Sequence, residues 1–109
     1  MPVFESEIRR VADIARTLTR LGTLLGTRAT ADAAASALLW RWSALEARYA
    51  RRAPVRVFYQ LWHQPLMTIN GEHLIAQAIT ACGGVNVFAA LPALTPTVSW
   101  EAAAQADPQ

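Results

Sequence analysis

Between Val55 and Asp107 the order of pattern and punctuation admits few folds. A short β-branched and aromatic run, residues 55–61, leads into a loop bearing aromatic and proline residues. An apolar helical stretch follows and closes at Cys82-Gly83-Gly84. After it come Asn86-Val87-Phe88, a second proline-bearing loop and a segment that Ser99 can cap. Strand, helix, strand in that order predicts a parallel pair joined by a right-handed crossover. Ligands in open α/β lobes bind beyond the ends of the strands, so the two loops form the candidate pocket wall.

The remaining elements follow from periodicity. An extended segment is expected at Pro2–Phe4, then a helix from about Ser6 to Leu25. Its stripe is Ile8, Val11, Ile14 or Ala15, Leu18, Leu21 and Leu25, with Ser6 as N-cap and Gly26 as stop. Gly22 inside that pattern costs about 1 kcal/mol relative to alanine and marks a close contact. A second helix is expected from about Thr30 to Arg52, with Ala31, Ala34, Leu38, Trp42, Leu45 and Tyr49 in near-heptad spacing. Pro54 ends it. Residues 55–61 should form a strand buried on both faces, and Trp62 to Ile69 a loop. Asn70 is the expected cap of a helix whose inner face is Leu74, Ile75, Ala78, Ile79 and Cys82. Val85–Phe88 should form the next strand, and Ser99 should cap a last helix reaching about Ala106. The sequence stops at Gln109, where a further parallel strand of such a lobe is expected. A sheet edge left open beside residues 55–61 would favour pairing between chains, so a homo-oligomer of this piece is an expected outcome.

Charge and composition narrow the function. At 109 residues with 53% hydrophobic residues, the chain can build one small core. Its ten basic residues are all arginines between Arg9 and Arg56, interspersed with Glu5, Glu7, Asp13, Asp32 and Glu46. That mixture describes two solvated helical faces rather than a nucleic-acid surface. The lone Cys82 cannot form an internal disulfide, and no paired-cysteine metal site exists. No apolar run reaches transmembrane length, and the first residues lack the regions of a signal peptide. Direct insertion into a membrane is not expected.

No catalytic residues are predicted. There is no Gly-x-Ser-x-Gly elbow and no carboxylate spaced to orient His63 beside a nucleophile, and Gly83-Gly84 follows a helix whereas phosphate loops precede one. Trp62, His63 and Gln64 stand just after the expected strand, in the loop where ligands bind. Trp62 is read either as a ligand-facing aromatic or as a core or rim tryptophan. Neutral imidazole is a common metal donor, and His63 could face a cleft, whereas His73 in a first helical turn is expected at the surface; no metal site is predicted. Trp40, Trp42 and Trp100 are expected to pack along their helices.

Several segments then combine into a recognisable order: Val3-Phe4-Glu5-Ser6 through Leu21-Gly22, Val57-Phe58-Tyr59-Gln60, Gly71 to Gly84 ending in Cys-Gly-Gly, Asn86-Val87-Phe88, and Val98-Ser99-Trp100-Glu101. Together they resemble the periplasmic cobalamin-binding proteins of ABC importers, part of the group of siderophore, haem and cobalamin receptors whose two lobes are joined by one long helix. The resemblance spans nearly the whole chain and corresponds to only part of such a receptor. It implies an α/β fragment of a two-lobed periplasmic binding protein: long amphipathic helices plus an incomplete, Rossmann-like parallel sheet. Residues 1–53 would hold the end of the N-terminal lobe, the inter-lobe helix and the second helix, and residues 54–109 part of the C-terminal lobe. The implied function is capture of cobalamin or a related corrinoid in the periplasm and delivery to a permease, without catalysis and with no resident cofactor. Trp62, His63, Gln64 and Thr95 are the implied ligand contacts, although Thr95 stands where a relative carries a stacking tryptophan. Glu101 matches the glutamate with which these receptors dock on permease arginines; without the resemblance it is simply a carboxylate in a favourable first turn. The alternatives are a siderophore or haem receptor of the same group, and a helix-mediated dimeric interaction domain with no ligand.

Overall fold

A computed structural model describes residues 3–109. By its internal contacts the chain divides into two compact units, Met1–Ala44 and Leu45–Gln109, with the division falling inside the second helix. Val3 and Phe4 carry no regular secondary structure, and Pro2 lies outside the described residues.

The first unit is a pair of helices, α1 (Val11–Leu25) and the greater part of α2 (Arg28–Tyr49). α1 starts five residues later than expected, because Asp13 and not Ser6 satisfies its first amides. The Asp13 carboxylate accepts from the N–H groups of Arg9 at 3.1 Å and Arg10 at 2.9 Å, and Ser6 Oγ meets Thr17 Oγ1 instead. α1 ends as the sequence predicts. Gly26 adopts a left-handed φ of 70°, and the N–H of Thr27 reaches back to the Gly22 carbonyl at 2.8 Å, closing the last turn. Gly22 is indeed a close approach: a Cβ built there would lie 2.2 Å from the Ala31 Cβ. Small residues at the contact let the helices come near, so Val11, Ala15, Gly22 and Ala35 are buried. The expected stripe is covered at Val11 and Ala15 and half-covered at Ile14 and Leu18. Ile8 precedes the helix and is exposed, as are Leu21 and Leu25. On α2 the buried position is Ala35, one residue on from the expected Ala34, which is exposed. Trp40 is 73% exposed, against the expectation of packing, whereas Trp42 is half-buried.

The second unit carries the predicted strand, helix, strand order. β1 (Val55–Val57) pairs in parallel with β4 (Gly84–Asn86), matching Val55 to Gly84 and Val57 to Asn86, and α3 (Leu74–Ala81) lies between them in sequence. Gly84 lets β4 lie against α3, since a Cβ there would approach Ile79 Cγ2 to 2.6 Å. β1 differs from the expected buried seven-residue strand: it is three residues long, with Val55 and Arg56 exposed and Val57 half-buried. The helical inner face is also rotated. Ala76 and Ala81 are buried, while Ala78 and Cys82 are exposed beside an open apolar groove of about 380 Å³ that Val55, Val57, Ile75 and Ile79 also line. The buried centre of this unit is the segment expected to be loop. Thr68 and Ile69 are fully enclosed and Leu66 and Asn70 nearly so. The last helix, α4 (Trp100–Gln105), starts where predicted, with Ser99 Oγ accepting from the Ala102 N–H at 3.0 Å. Trp100, expected to pack, is 60% exposed. Among the described residues no helix is long and apolar enough to cross a membrane.

Candidate functional site

The stretch between β1 and α3 is a small ribbon. β2 (Trp62–His63) and β3 (Leu66–Met67) pair as a hairpin, with Trp62 opposite Met67 and His63 opposite Leu66. The second loop supplies a third line to it. Thr68 N–H donates to the Pro96 carbonyl at 3.0 Å, Val98 N–H to the Leu66 carbonyl at 2.9 Å and Asn70 N–H to the Leu94 carbonyl at 3.1 Å. Met67 thereby pairs antiparallel with Thr97.

Register decides which side chains share a face. Residues directly opposite one another in an antiparallel ladder project to the same side, and residues two apart along an extended strand do too. Trp62, Met67 and Thr97 therefore lie on one face and His63 with Leu66 on the other, while Thr95 sits exposed in the bend that leads into Thr97. The two loops singled out in the sequence are thus joined into one surface, although more than thirty positions separate Trp62 from Thr95.

Two asparagines hold that surface in place. Asn70 Oδ1 accepts from the Glu72 N–H at 3.0 Å, and its Nδ2 donates to the Leu91 carbonyl at 3.0 Å. Asn70 therefore turns its own loop and clamps the other; the N-cap of α3 is His73, whose Nδ1 accepts from the Ile75 N–H at 3.1 Å. His73 is half-buried in that role rather than lying at the surface as expected. Asn86, at the end of β4, repeats the device: its Oδ1 accepts from the Phe88 N–H and its Nδ2 donates to the buried Ile69 carbonyl at 2.9 Å. Both are turns closed by a side chain on the amide two residues on, followed by a long-range bond. Phe58 and Phe88 meet edge to face, with ring centroids 5.8 Å apart.

Trp62 is 57% exposed. Its indole is fixed, since Nε1 donates to the Gln64 carbonyl at 3.1 Å, and the neighbouring His63 ring lies 5.9 Å away at 39°. His63, Gln64 and Thr95 are all exposed. A flat aromatic held by one hydrogen bond and flanked by an imidazole, an amide and hydroxyls can receive a planar apolar face and bond its polar fringe. Glu101 stands in the first turn of α4, exposed, shortly beyond Val98 of the ribbon in sequence. Sequence reasoning missed Met67 and Thr97. Met67 opens a short apolar-polar alternation, Met67-Thr68-Ile69-Asn70, too brief to declare a strand, and Thr97 carried no such signal.

No family model matches the chain. Curated relatives do: the vitamin B12-binding protein of Yersinia pestis (strain Pestoides F) is 34% identical over all 109 residues, and that of Yersinia pseudotuberculosis serotype O:1b is equally so. The chain spans about two fifths of their length, 39% in each case. Among solved structures, the periplasmic vitamin B12 binding protein BtuF of Vibrio cholerae superposes with a TM-score of 0.88 at 29% identity, over 99% of this chain and 42% of that one. An ABC transporter substrate-binding protein from Listeria monocytogenes EGD-e shares the fold at 15% identity, with a TM-score of 0.81 over 92% of this chain and 39% of that one. Along its whole length, then, the chain is similar to one segment of vitamin B12-binding proteins, in sequence and in fold.

Proposed function

We propose that this chain is the part of an ABC-importer substrate-binding receptor that supplies one wall of the site for cobalamin or a related corrinoid, held in the periplasm for delivery to the permease. The observation that carries the reading is the joined ribbon face. An exposed, hydrogen-bonded Trp62 and the Thr95 loop stand on one surface within a segment that matches vitamin B12-binding proteins end to end.

The chemistry is binding alone. A corrin presents a broad apolar face fringed with amides; stacking on Trp62 buries area, and Gln64 and Thr95 offer donors and acceptors at its rim, with the His63 ring beside the indole. An axial imidazole stands perpendicular to a macrocycle on which an indole lies parallel. Trp62 and His63 sit 39° apart and so favour stacking over metal ligation in this arrangement. Glu101 is the docking carboxylate for permease arginines, a role suited to an exposed group whose partner arrives by electrostatic attraction. One wall cannot enclose a guest, so this chain alone holds corrinoid weakly.

Equilibrium dialysis of the chain against cyanocobalamin and, separately, haem tests the reading. Saturable corrinoid binding that Trp62→Ala weakens at least several-fold is the expected result. Haem retained in preference to cyanocobalamin, or corrinoid binding indifferent to Trp62→Ala, would reject it. For Glu101, charge reversal to arginine in the intact receptor should reduce transport while leaving corrinoid affinity unchanged.

A further inference from the structure

One buried residue does most to fix how the two loops of the ribbon meet. Asn70 is 3% exposed, too enclosed to touch a guest, yet it reaches the second loop twice. Its N–H donates to the Leu94 carbonyl at 3.1 Å and its Nδ2 to the Leu91 carbonyl at 3.0 Å. Gly71 adds a third bond, from its N–H to the Ala89 carbonyl at 3.0 Å, and a Cβ there would lie 3.0 Å from that same oxygen. Two consecutive residues thus hold three carbonyls of one short stretch, 89–94.

Pro92 and Pro96 lack an N–H, so this loop is held largely through its carbonyls, and the donors come from outside it. Two of the three donors are backbone amides, which any residue except proline supplies. The third, from the Asn70 side chain, depends on residue identity. Asn70 Oδ1 accepts from the Glu72 N–H at 3.0 Å, and that bond turns Nδ2 towards Leu91. Beyond Leu94 the loop runs through Thr95 to Thr97, which pairs with Met67 on the Trp62 face. A loop released at Leu91 is therefore free to fray towards that face.

We propose that Asn70 is a positioning residue for guest binding: by clamping the Leu91 carbonyl it holds the second loop against the Trp62 hairpin, so that the face is formed before the guest arrives. The inference rests on the corrinoid reading and adds to it a residue that never meets the ligand. A loop that must be ordered on binding costs affinity, and one ordered beforehand does not. The effect of Asn70 therefore falls on affinity and on local opening between the loops, over and above its effect on stability.

Three substitutions test this by equilibrium dialysis against cyanocobalamin and by amide hydrogen exchange without ligand. Asn70→Ala removes both side-chain bonds. Asn70→Asp keeps the acceptor for the Glu72 N–H but, ionised, offers the Leu91 carbonyl no hydrogen. Ala81→Gly loosens the buried last turn of α3 and so weakens the lobe away from the ribbon. Both Asn70 variants should bind cyanocobalamin about threefold to tenfold more weakly than the parent. In both, the Thr68 and Val98 amides, which cross between the loops, should exchange about fivefold to tenfold faster relative to the Val87 amide in the sheet. The Glu72 amide should be released in Asn70→Ala and stay protected in Asn70→Asp. Ala81→Gly should lower the unfolding midpoint and leave the affinity at the parent value. Parent-like affinity in both Asn70 variants, or in Asn70→Asp alone, overturns the proposal, as does a loss in Ala81→Gly that matches theirs. A parent chain that binds no cyanocobalamin defeats the corrinoid reading, and this inference with it. Asn70→Asp retains the bonds to Glu72 and Leu94 and keeps the test decisive if Asn70→Ala does not fold.

Discussion

The two units solve the same problem by opposite means. In the helical pair, contact is made by the smallest side chains available: Gly22 meets Ala31, and Ala15 and Ala35 are buried in the groove between the helices while Leu24, Leu25 and Trp40 remain outside. In the lobe, a single large residue, Ile69, is enclosed by a chain held in place through polar side chains, Asn70 and Asn86, and through the carbonyls of Leu94 and Pro96. Helices satisfy their own backbone and need only shape to approach, whereas loops can be buried only if each amide and carbonyl finds a partner. One unit is therefore specified by volume and the other by hydrogen bonding.

Mutations in each unit should respond differently if that contrast holds. Ile69→Ala empties a fully buried site in the lobe and should cost about 3 kcal/mol in urea unfolding; a loss below about 1 kcal/mol would mean the polar clips carry the lobe without it. In the helical pair, Gly22→Val drives a branched side chain into Ala31 and should cost about 2 to 3 kcal/mol, with Ala31→Gly restoring part of it in the double variant. Additive effects would show that the two helices are not in contact there. Asn86→Ala leaves the Ile69 carbonyl without its donor and should cost about 2 kcal/mol by thermal unfolding, a purely polar loss with no equivalent in the first unit.

Two smaller effects sharpen the same line. Thr68 Oγ1 is buried with no hydrogen-bond partner among the described residues, so Thr68→Val, of equal shape, should leave stability unchanged or raise it by about 1 kcal/mol. Asp13 is the polar exception in the helical unit. The N–H groups of Arg9 and Arg10, and then Arg16, hold its carboxyl below the usual carboxylate range. A folded-state pKa below the unfolded one means that the contribution is present above about pH 4 and is lost as pH falls through the folded value. Unfolding midpoints measured from pH 6 downwards should show that decline, and Asp13→Asn should flatten it. Because its bonds lie at the surface, this is the smallest of the five effects.

What the sequence revealed followed the same division. Helix ends that depend on a local signal were legible: Gly26 stops α1 and Ser99 starts α4. So was the parallel order of β1, α3 and β4, because chain connectivity constrains it. What depended on distant partners was not. Residues 55–61 have strand composition, but only three of them pair, since a partner strand of three residues, Gly84–Asn86, supports no more. Asn70 looked like a helix cap because capping and loop-clamping ask for the same side chain, and only the position of Leu91 decides between them. Trp40 and Trp100 sit on helices where aromatic residues often pack, yet both face outward. The exposed ribbon was foreseen as two loops but not as one surface, because the pairing of Met67 with Thr97 crosses thirty residues.

That pairing makes the ribbon face modular. Leu94 to Val98 reaches the hairpin through the carbonyls of Leu94 and Pro96, which any residue could supply, and the amide of Val98, which any residue but proline could, while the Thr97 side chain merely decorates the shared face. The segment is thus an exchangeable cassette: its side chains can be rewritten without disturbing the hairpin, provided that its length is kept. A single inserted residue there would invert the whole cassette and turn the decoration inside out.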